Sequence, residues 1–331
     1  MLKNLLFPMF FGLLCSTSSF IRQVQAQTPS LPPLNASAEQ TEEEEAGEHD
    51  VRFLTGEVGT TDYWPAFAPE GNQVVFSRRI GSDQPYRLYI VPVDGGTAKP
   101  FPLRPLSVGA TRANWSWQSN EIAFTGRANG KNQIWVINGD GTKAHPLVLA
   151  DLTPGVAYPS WDREGKQLIV VDYQGNTGGI LKRIDVAQQR VTTLTDLQEV
   201  LAGMPAISPD GKTIAFAGQL NKNGAYNQRL NSIFLLNERH QLQEISGGQG
   251  RAPSWSPDGR WIAFESDRGN PQGKYAIYIV SPEGKQLRKL TANALDANHP
   301  VWSPDGRSLA FSALNPQTQT LGIATIQIET K

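Results

Sequence analysis

The side chains that most often carry enzyme chemistry are scattered along this sequence rather than grouped. The chain of 331 residues has four histidines, and no two have the spacing of a zinc-binding pair. They are His49, His145, His240 and His299. The one cysteine, Cys15, lies in an apolar N-terminal segment, so we expect neither thiol catalysis nor a cysteine-based metal site. Gly-x-Ser-x-Gly, a sequence typical of hydrolase nucleophiles, does not occur.

A second candidate chemistry is metal binding by aspartates that recur along the chain. Asp210, Asp258 and Asp305 each occupy the same place in a Ser-Pro-Asp-Gly sequence. In such a sequence proline presets φ at the second turn position, aspartate suits the third, and glycine takes the left-handed conformation. We therefore expect these aspartates to shape tight turns rather than to bind a metal ion.

The turns belong to a longer repeat, Pro-x-Trp-Ser-Pro-Asp-Gly-x-x-Ile-Ala-Phe. It is clearest at Pro253–Phe264 and Pro300–Phe311, and weaker copies precede these two. The tryptophan position recurs every 46 to 48 residues, at Phe67, Trp115, Trp161, Ile207, Trp255 and Trp302. A large apolar residue follows each of them at a constant distance, at Phe76, Phe124, Val170, Phe216, Phe264 and Phe311. A constant register over six copies indicates a repeat architecture.

The repeat carries the pattern of four antiparallel strands. Apolar residues around the tryptophan position predict a first strand, and Ile-Ala-Phe predicts a buried second strand. Third strands are predicted at segments such as Ile277–Val280, and short fourth strands at segments such as Leu287–Leu290. Four strands in about 45 residues are typical of a β-propeller blade. We therefore predict an all-β fold, a six-bladed β-propeller over residues 51–331.

The two ends of the repeat region complement each other. After Trp302 the last copy has room for two more strands but not for a fourth. At the other end, Val51–Thr55 matches Leu287–Thr291, which contains a predicted fourth strand. We therefore predict that the N-terminal strand completes the C-terminal blade, which closes the ring and removes an open sheet edge.

The repeat resembles that of the TolB-type β-propeller family, a PD40 or WD40-like repeat. The resemblance covers residues 51–331 and rests on framework residues of the blades. It implies a bacterial periplasmic protein of the cell envelope, whose propeller binds a peptidoglycan-associated lipoprotein. The chain departs from the family pattern, because a short acidic segment stands where the family has an N-terminal α/β domain. Similar repeats also occur in the propellers of prolyl-oligopeptidase-type peptidases.

In a propeller the first strands line the central channel, and their starts surround one channel mouth. Three residues before the tryptophan position stand Trp64, Arg112, Tyr158, Met204, Ala252 and His299, with Arg251 next to Ala252. Aromatic, methionine and arginine side chains are enriched at protein interfaces. We predict a partner-binding site formed by Trp64, Arg112, Tyr158, Met204, Arg251 and His299. The alternative, which the sequence leaves open, is that these side chains only pack the channel neck.

The first fifty residues differ in composition from the rest. Lys3, the apolar run from Leu5 to Cys15 and a cleavage sequence at Val24–Ala26 predict a signal peptide over residues 1–26. Residues 27–50 are proline-rich and then acidic, which predicts a disordered linker. No other segment is long and apolar enough to span a membrane. We expect a monomeric protein exported to the periplasm.

Charge and composition reduce the number of function classes that fit this sequence. Lys and Arg total 30 and Asp and Glu total 31, with no basic cluster, so nucleic-acid binding is not expected. We predict a non-catalytic scaffold that holds a protein or peptide at the channel mouth. The alternatives are a carbohydrate-active or small-ligand enzyme in the same funnel and an assembly platform that uses the blade edges, because fold does not decide function. We expect no cofactor, and a calcium ion in the channel is left open.

Overall fold

A computed structural model describes residues 50–103, 109–128, 130–173, 178–221 and 227–328 of the chain. The predicted signal peptide and all of the predicted linker except Asp50 lie outside the described residues. The described residues form β-strands and two short 3-10 helices, Gln228–Leu230 and Asn293–Leu295. The prediction of an all-β fold is therefore confirmed. In the part of the chain that is described, no helix is long and apolar enough to cross a membrane.

The strands of the described residues follow one another in groups that match the copies of the repeat. The first strands are β1 (Arg52–Phe53), β2 (Thr60–Phe67), β3 (Gln73–Ile80), β4 (Arg87–Pro92), β5 (Lys99–Pro100), β6 (Gly109–Trp115), β7 (Glu121–Ala128), β8 (Lys131–Asn138) and β9 (His145–Pro146). Next come β10 (Ala157–Trp161), β11 (Gln167–Tyr173), β12 (Gly179–Asp185), β13 (Arg190–Thr193), β14 (Val200–Ile207), β15 (Ile214–Leu220), β16 (Ser232–Leu236) and β17 (Leu242–Glu244). The last are β18 (Arg251–Trp255), β19 (Ile262–Ser266), β20 (Ala276–Val280), β21 (Arg288–Lys289), β22 (Asn298–Trp302), β23 (Ser308–Leu314) and β24 (Leu321–Gln327).

These strands pair antiparallel into five sheets within the described residues, one fewer than the six predicted. Four sheets have four strands each: β2–β5, β6–β9, β18–β21, and β22–β24 with β1. The strands β10–β17 form one eight-stranded sheet because Gly179 of β12 pairs with Ala202 of β14. A Cβ on Gly179 would lie 2.7 Å from the Ala202 carbonyl oxygen and 2.2 Å from Val171 Cγ1. Glycine thus permits the close approach that joins the two groups.

The first strands of the groups contact one another in a closed cycle. β2 contacts β6, β6 contacts β10, β10 contacts β14, β14 contacts β18, β18 contacts β22, and β22 contacts β2. The sheets are therefore arranged around a common axis, which is the propeller arrangement that the repeat predicts.

The N-terminal strand is the fourth strand of the last sheet, as predicted. Arg52 and Phe53 of β1 pair with Thr325 and Ala324 of β24. The Thr55 hydroxyl accepts a hydrogen bond of 2.8 Å from the backbone N–H of Ile323. In the preceding sheet the hydroxyl of Thr291 accepts the corresponding bond, from Ile277, at 2.9 Å. The match of Val51–Thr55 with Leu287–Thr291 is confirmed by this shared contact.

The apolar residues of the repeat form the packing between neighbouring sheets. The six large residues that follow the tryptophan position are fully buried: Phe76, Phe124, Val170, Phe216, Phe264 and Phe311. Each lies on the second strand of its group, where it meets side chains from the preceding group in the ring. One cluster, for example, joins Val75 and Leu88 of one sheet to Ile122 and Phe124 of its neighbour. The spacing between the tryptophan position and this large residue is therefore constant, because each copy supplies one face of a shared core.

The repeated aspartates shape turns, as the sequence predicts. Ser256 donates a hydrogen bond of 2.6 Å to Asp258 Oδ1, which also accepts one from the backbone N–H of Arg260 at 3.1 Å. Gly259 has a φ of 73°, the left-handed conformation expected at that turn position. The same serine–aspartate hydrogen bond occurs at Asp210 and at Asp305.

Candidate functional site

One cavity on the common axis is lined by all six residues that stand three before the tryptophan position. We call it the ring cavity, with a volume of about 110 Å³. Its lining includes Trp64, Arg112, Tyr158, Met204, Ala252 and His299. The structure thus brings together five of the six predicted site residues. The sixth, Arg251, is not among the lining residues, because its side chain turns to the neighbours described below.

A second cavity lies further along the same strands. We call it the tryptophan cavity, lined among others by Trp115, Trp161, Trp255 and Trp302. In each group the first strand runs from one cavity to the other: Met204 lines the ring cavity and Ile207 lines the tryptophan cavity. The two cavities are therefore the two ends of one short channel.

The six residues that stand three before the tryptophan position, which we call the ring residues, all have a left-handed backbone conformation. The φ angles are 55° at Trp64, 57° at Arg112, 54° at Tyr158, 49° at Met204, 48° at Ala252 and 55° at His299. At each of these positions the pairing of the first strand with the second shifts register. A non-glycine residue in this conformation costs about 1–2 kcal/mol. The same strained bulge is therefore built into all six first strands, and bulges of this kind re-aim side chains.

Prolines follow the ring residues in five of the six first strands. Pro65, Pro159, Pro205, Pro253 and Pro300 all line the ring cavity. Proline has no backbone N–H, so these five positions offer no backbone donor. The prolines therefore reduce the number of backbone donors that the ring cavity can offer to a molecule inside it.

Arg112 lies between two aromatic rings of the cavity wall. Its guanidinium carbon is 4.6 Å from the centre of the Trp64 ring and 4.2 Å from the centre of the Tyr158 ring. Both separations are within the range of a cation–π interaction. The Arg112 Nη1 also donates a hydrogen bond of 3.3 Å to Thr111. The guanidinium is thus held in place mainly by its two aromatic neighbours.

The aromatic wall extends beyond the predicted residues to Tyr63 and Tyr86. The ring of Trp64 lies 5.5 Å from that of Tyr86 and 5.5 Å from that of His299, both tilted toward edge-on contact. Tyr63 is 5.8 Å from His299 in the same edge-on manner. Tyr63 is adjacent in sequence to a predicted residue, but Tyr86 precedes the third strand and carries no signal in the repeat. Sequence reasoning therefore missed it.

Glu265 is a buried carboxylate beside the ring, and it too was missed from the sequence. Its Oε2 accepts a hydrogen bond of 2.7 Å from the backbone N–H of His299, and its Oε1 lies 3.3 Å from Arg251 Nε. Arg251 further donates a bond of 2.9 Å to the hydroxyl of Tyr275. The charge of Arg251 is therefore balanced by Glu265, which explains why this arginine does not line the ring cavity.

His299 is held in its neutral form by its surroundings. Burial lowers the pKa of His299 to about 4, against the opposing effect of Glu265, while Arg251 and Arg112 lower it further. The ring is therefore unprotonated at neutral pH. Its Nδ1 is buried without a hydrogen-bond partner among the described residues.

The part of the chain that the structure describes contains no cluster of the usual metal-binding side chains. There, no group of three or more His, Cys, Asp or Glu side chains is placed to hold a metal ion. The expectations about cofactors and about a calcium ion in the channel stay predictions.

The strained bulge leads to a stability prediction at Ala252. We expect Ala252→Gly to raise the free energy of unfolding by up to about 1 kcal/mol, because glycine takes a φ near 48° without steric cost. Ala113→Gly, at another position that lines the ring cavity but has no positive φ, should instead lower it by about 0.5–1 kcal/mol. Urea denaturation of both variants measures the difference. Equal destabilisation by the two would show that the bulge at Ala252 is unstrained.

Comparison with known proteins identifies the family. Residues 50–225 and 198–331 match the model of the TolB beta propeller domain, which together cover all of the predicted propeller. The Tol-Pal system protein TolB of Francisella tularensis subsp. tularensis (strain WY96-3418) is 32% identical over 169 residues. That match covers 50% of this chain and 36% of the relative, so the chain spans about a third of the length of this curated relative.

Solved structures agree on the fold. A protein described as a TolB from Agrobacterium tumefaciens superposes with a TM-score of 0.60 at 15% identity, covering 81% of this chain and 91% of that one. An oligogalacturonate lyase in complex with manganese superposes with a TM-score of 0.53 at 15% identity, covering 87% and 95%. At such identities the likeness shows the propeller fold alone. The match of the family model over the whole repeat region goes further: the chain belongs to the TolB β-propeller family.

Proposed function

We propose that this protein is a non-catalytic scaffold of the bacterial cell envelope that holds a protein or peptide partner at the ring cavity. The observation that carries the proposal is the gathering of Trp64, Arg112, Tyr158, Met204 and His299 around one opening of the channel. These residue types dominate the energetics of protein interfaces. They come from five different first strands, so the fold presents them as one surface.

The family assignment supports an envelope role for this scaffold. The curated relative from Francisella tularensis is named as a TolB protein of the Tol-Pal system, and we propose that this chain likewise works in the periplasm after export. A peptidoglycan-associated lipoprotein is the partner that the family resemblance favours. Since the chain spans about a third of the TolB relative from Francisella tularensis, a different envelope partner remains compatible with the scaffold.

The proposed architecture has six blades. The eight-stranded sheet then represents two blades, β10–β13 and β14–β17, joined by the single pair Gly179–Ala202. The closed cycle of six first strands supports this count, because each blade contributes one strand to the channel wall.

The geometry favours a scaffold over an enzyme acting in the funnel. The ring cavity, at about 110 Å³, is smaller than the roughly 300–1,000 Å³ typical of small-molecule sites. A carbohydrate-active site also needs carboxylates that converge on the substrate. None of the described residues that line the ring cavity is a carboxylate. Glu265, the carboxylate beside it, is engaged by His299 and Arg251.

Affinity capture tests the proposed function. The exported protein would be immobilised and exposed to detergent-solubilised envelope from the source cell, beside an Arg112→Ala/Tyr158→Ala/His299→Ala variant. Arg163→Ala is the matched control, since Arg163 is an exposed arginine at the tryptophan cavity, the other end of the channel. We expect one envelope protein in near-stoichiometric amount with wild type and control, and its loss with the triple variant.

Two other results would contradict the proposal in different ways. Equal recovery by all three proteins would keep a scaffold but move its site away from the ring cavity. Recovery of no protein by the wild type would count against the scaffold itself, and glycan and peptide substrate screens would then test the enzyme alternative.

A further inference from the structure

We propose that the ring cavity binds a carboxylate group of its peptide partner, with Arg112 as the residue that grips it. This inference rests on the proposed function and adds the chemistry of recognition. It follows from the position of one arginine, from unpaired donors around it, and from the lack of acids among the described residues that line the cavity.

The first observation is the way in which the Arg112 guanidinium is held. Its central carbon lies over both aromatic rings, 4.6 Å from the centre of Trp64 and 4.2 Å from the centre of Tyr158. The N–H groups of a guanidinium point outward in its own plane, where they match the two oxygens of a carboxylate. A guanidinium held between close neighbours loses little side-chain entropy when it binds such a group.

The second observation is that several buried nitrogens around the cavity have no partner. Arg112 Nε, Trp64 Nε1 and His299 Nδ1 are all buried without a hydrogen-bond partner among the described residues. Leaving a buried donor unpaired costs about 1–3 kcal/mol. Arg112 and Trp64 can only donate, and neutral His299 donates from Nδ1 in one of its two tautomers. Three such side chains in one lining favour a ligand that supplies acceptors.

The third observation is the charge of the lining. Fourteen of the described residues line the cavity; none of these is Asp or Glu, and Arg112 is the one among them that carries a charge. The second arginine nearby, Arg251, has Glu265 as its partner at 3.3 Å. Arg112 has no carboxylate within ion-pairing distance among the described residues. An anion that enters the cavity therefore meets one uncompensated positive charge.

Size and charge together favour a carboxylate over a phosphate group. One guanidinium balances a single negative charge, whereas a phosphate monoester carries close to two at neutral pH and is usually bound by several cations or backbone N–H groups. The prolines around the cavity remove five backbone donors. A planar carboxylate needs only the edge of Arg112 and one or two further donors.

A binding experiment with peptide pools tests this proposal. Three pools of N-acetylated heptapeptides are randomised at six positions, without Asp or Glu at those positions. One pool has a central Glu and a C-terminal amide, the second a central Gln and an amide, and the third a central Gln and a free C-terminal carboxylate. Each pool is passed over immobilised wild type, Arg112→Gln, Arg112→Lys and the control Arg163→Gln.

We expect wild type and Arg163→Gln to retain one carboxylate pool at least about tenfold better than the Gln–amide pool, as charged hydrogen bonds require. Arg112→Gln should remove this preference. Arg112→Lys should weaken it several-fold, because an ammonium keeps the charge but lacks the planar fork. Preference for the central Glu pool places the carboxylate on a side chain of the partner, and preference for the free-acid pool places it at a chain end.

Other outcomes overturn the proposal, and they separate it from the proposed function. Equal retention of all three pools would exclude carboxylate recognition while leaving peptide binding intact. A carboxylate preference that survives Arg112→Gln would exclude Arg112 as the anchor. No retention of any pool, by a protein that does capture an envelope partner, would likewise exclude the carboxylate and keep the scaffold. Matching melting temperatures for Arg112→Gln and Arg163→Gln confirm that the comparison reports binding rather than folding.

Discussion

Arg78→Met is expected to lower the free energy of unfolding by about 3–5 kcal/mol at neutral pH. Arg78 and Asp62 form a buried ion pair, with side chains 6% and 0% exposed. Arg78 Nε donates to Asp62 Oδ1 and Nη2 to Oδ2, each at 2.8 Å. Methionine keeps most of the apolar volume but leaves the carboxylate buried without its partner charge. Urea denaturation measures the change.

A double variant separates the ion pair from the packing. Arg78→Met/Asp62→Leu should recover most of the loss, because replacing both members of a buried pair by apolar residues is often neutral or stabilising. Thr55 also donates a hydrogen bond of 2.6 Å to Asp62 Oδ2, so some loss should remain. A single variant that loses less than about 1 kcal/mol would show that the pair contributes no more than a surface salt bridge.

The same pair has a predictable response to acid. Burial raises the pKa of Asp62, although Arg78 and Thr55 act in the opposite direction. Removing the guanidinium should raise it further, so that Asp62 takes up a proton more readily in the variant. The deficit of Arg78→Met relative to wild type should therefore shrink as pH falls. The ion pair also lies close to the point where the ring of sheets closes. Asp62 accepts a hydrogen bond from Thr55, and Thr55 follows the N-terminal strand that completes the last sheet.

Stability is expected to fall by about 2–3 kcal/mol between pH 6.5 and pH 4 because of His299 alone. Its pKa is about 4 in the folded protein, against 6.5 for a free histidine. Over this interval the unfolded chain binds a proton that the folded protein does not. The contribution of neutral His299 is thus fully present above pH 6.5 and is lost as pH falls toward 4.

The measurement compares wild type with His299→Gln by urea denaturation at several pH values. The difference between the two free energies should change with pH by about this amount, with the wild type losing more on acidification. His145→Gln, which removes an exposed histidine, controls for the general effect of losing an imidazole. A difference between wild type and His299→Gln that stays constant from pH 7 to pH 4 would show that His299 titrates normally in the folded protein.

The sequence by itself determined the all-β class, the order of the strands and the closure of the ring. The reason is that these features depend on local patterns that every copy repeats. A turn such as Ser256–Gly259 needs proline, aspartate and glycine at set positions, and a buried residue such as Phe264 needs a constant offset from that turn. The match of Val51–Thr55 with Leu287–Thr291 located the closing strand for the same reason.

The sequence also located the ring residues, because equivalent positions of a repeat fall on equivalent places in the fold. Trp64, Arg112, Tyr158, Met204 and His299 could be predicted to meet without knowing their contacts. Only the tertiary structure decided what each of them touches. Arg112 contacts two aromatic rings, whereas Arg251 is paired with Glu265. Two arginines at nearly equivalent positions therefore differ, because a carboxylate balances the charge of Arg251 but not that of Arg112.

The tertiary structure alone also decided the features that depend on residues distant in sequence. The positive φ of the ring residues arises where the pairing of two strands shifts in register. The conformational propensities of single residues do not predict such a shift. Tyr86 precedes a third strand and Glu265 lies on a second strand, so neither belongs to the first strands that supply the ring residues. The joining of β10–β13 to β14–β17 depends on one close contact at Gly179. A repeat specifies what its copies share, while the chemistry of the site lies in how the copies differ.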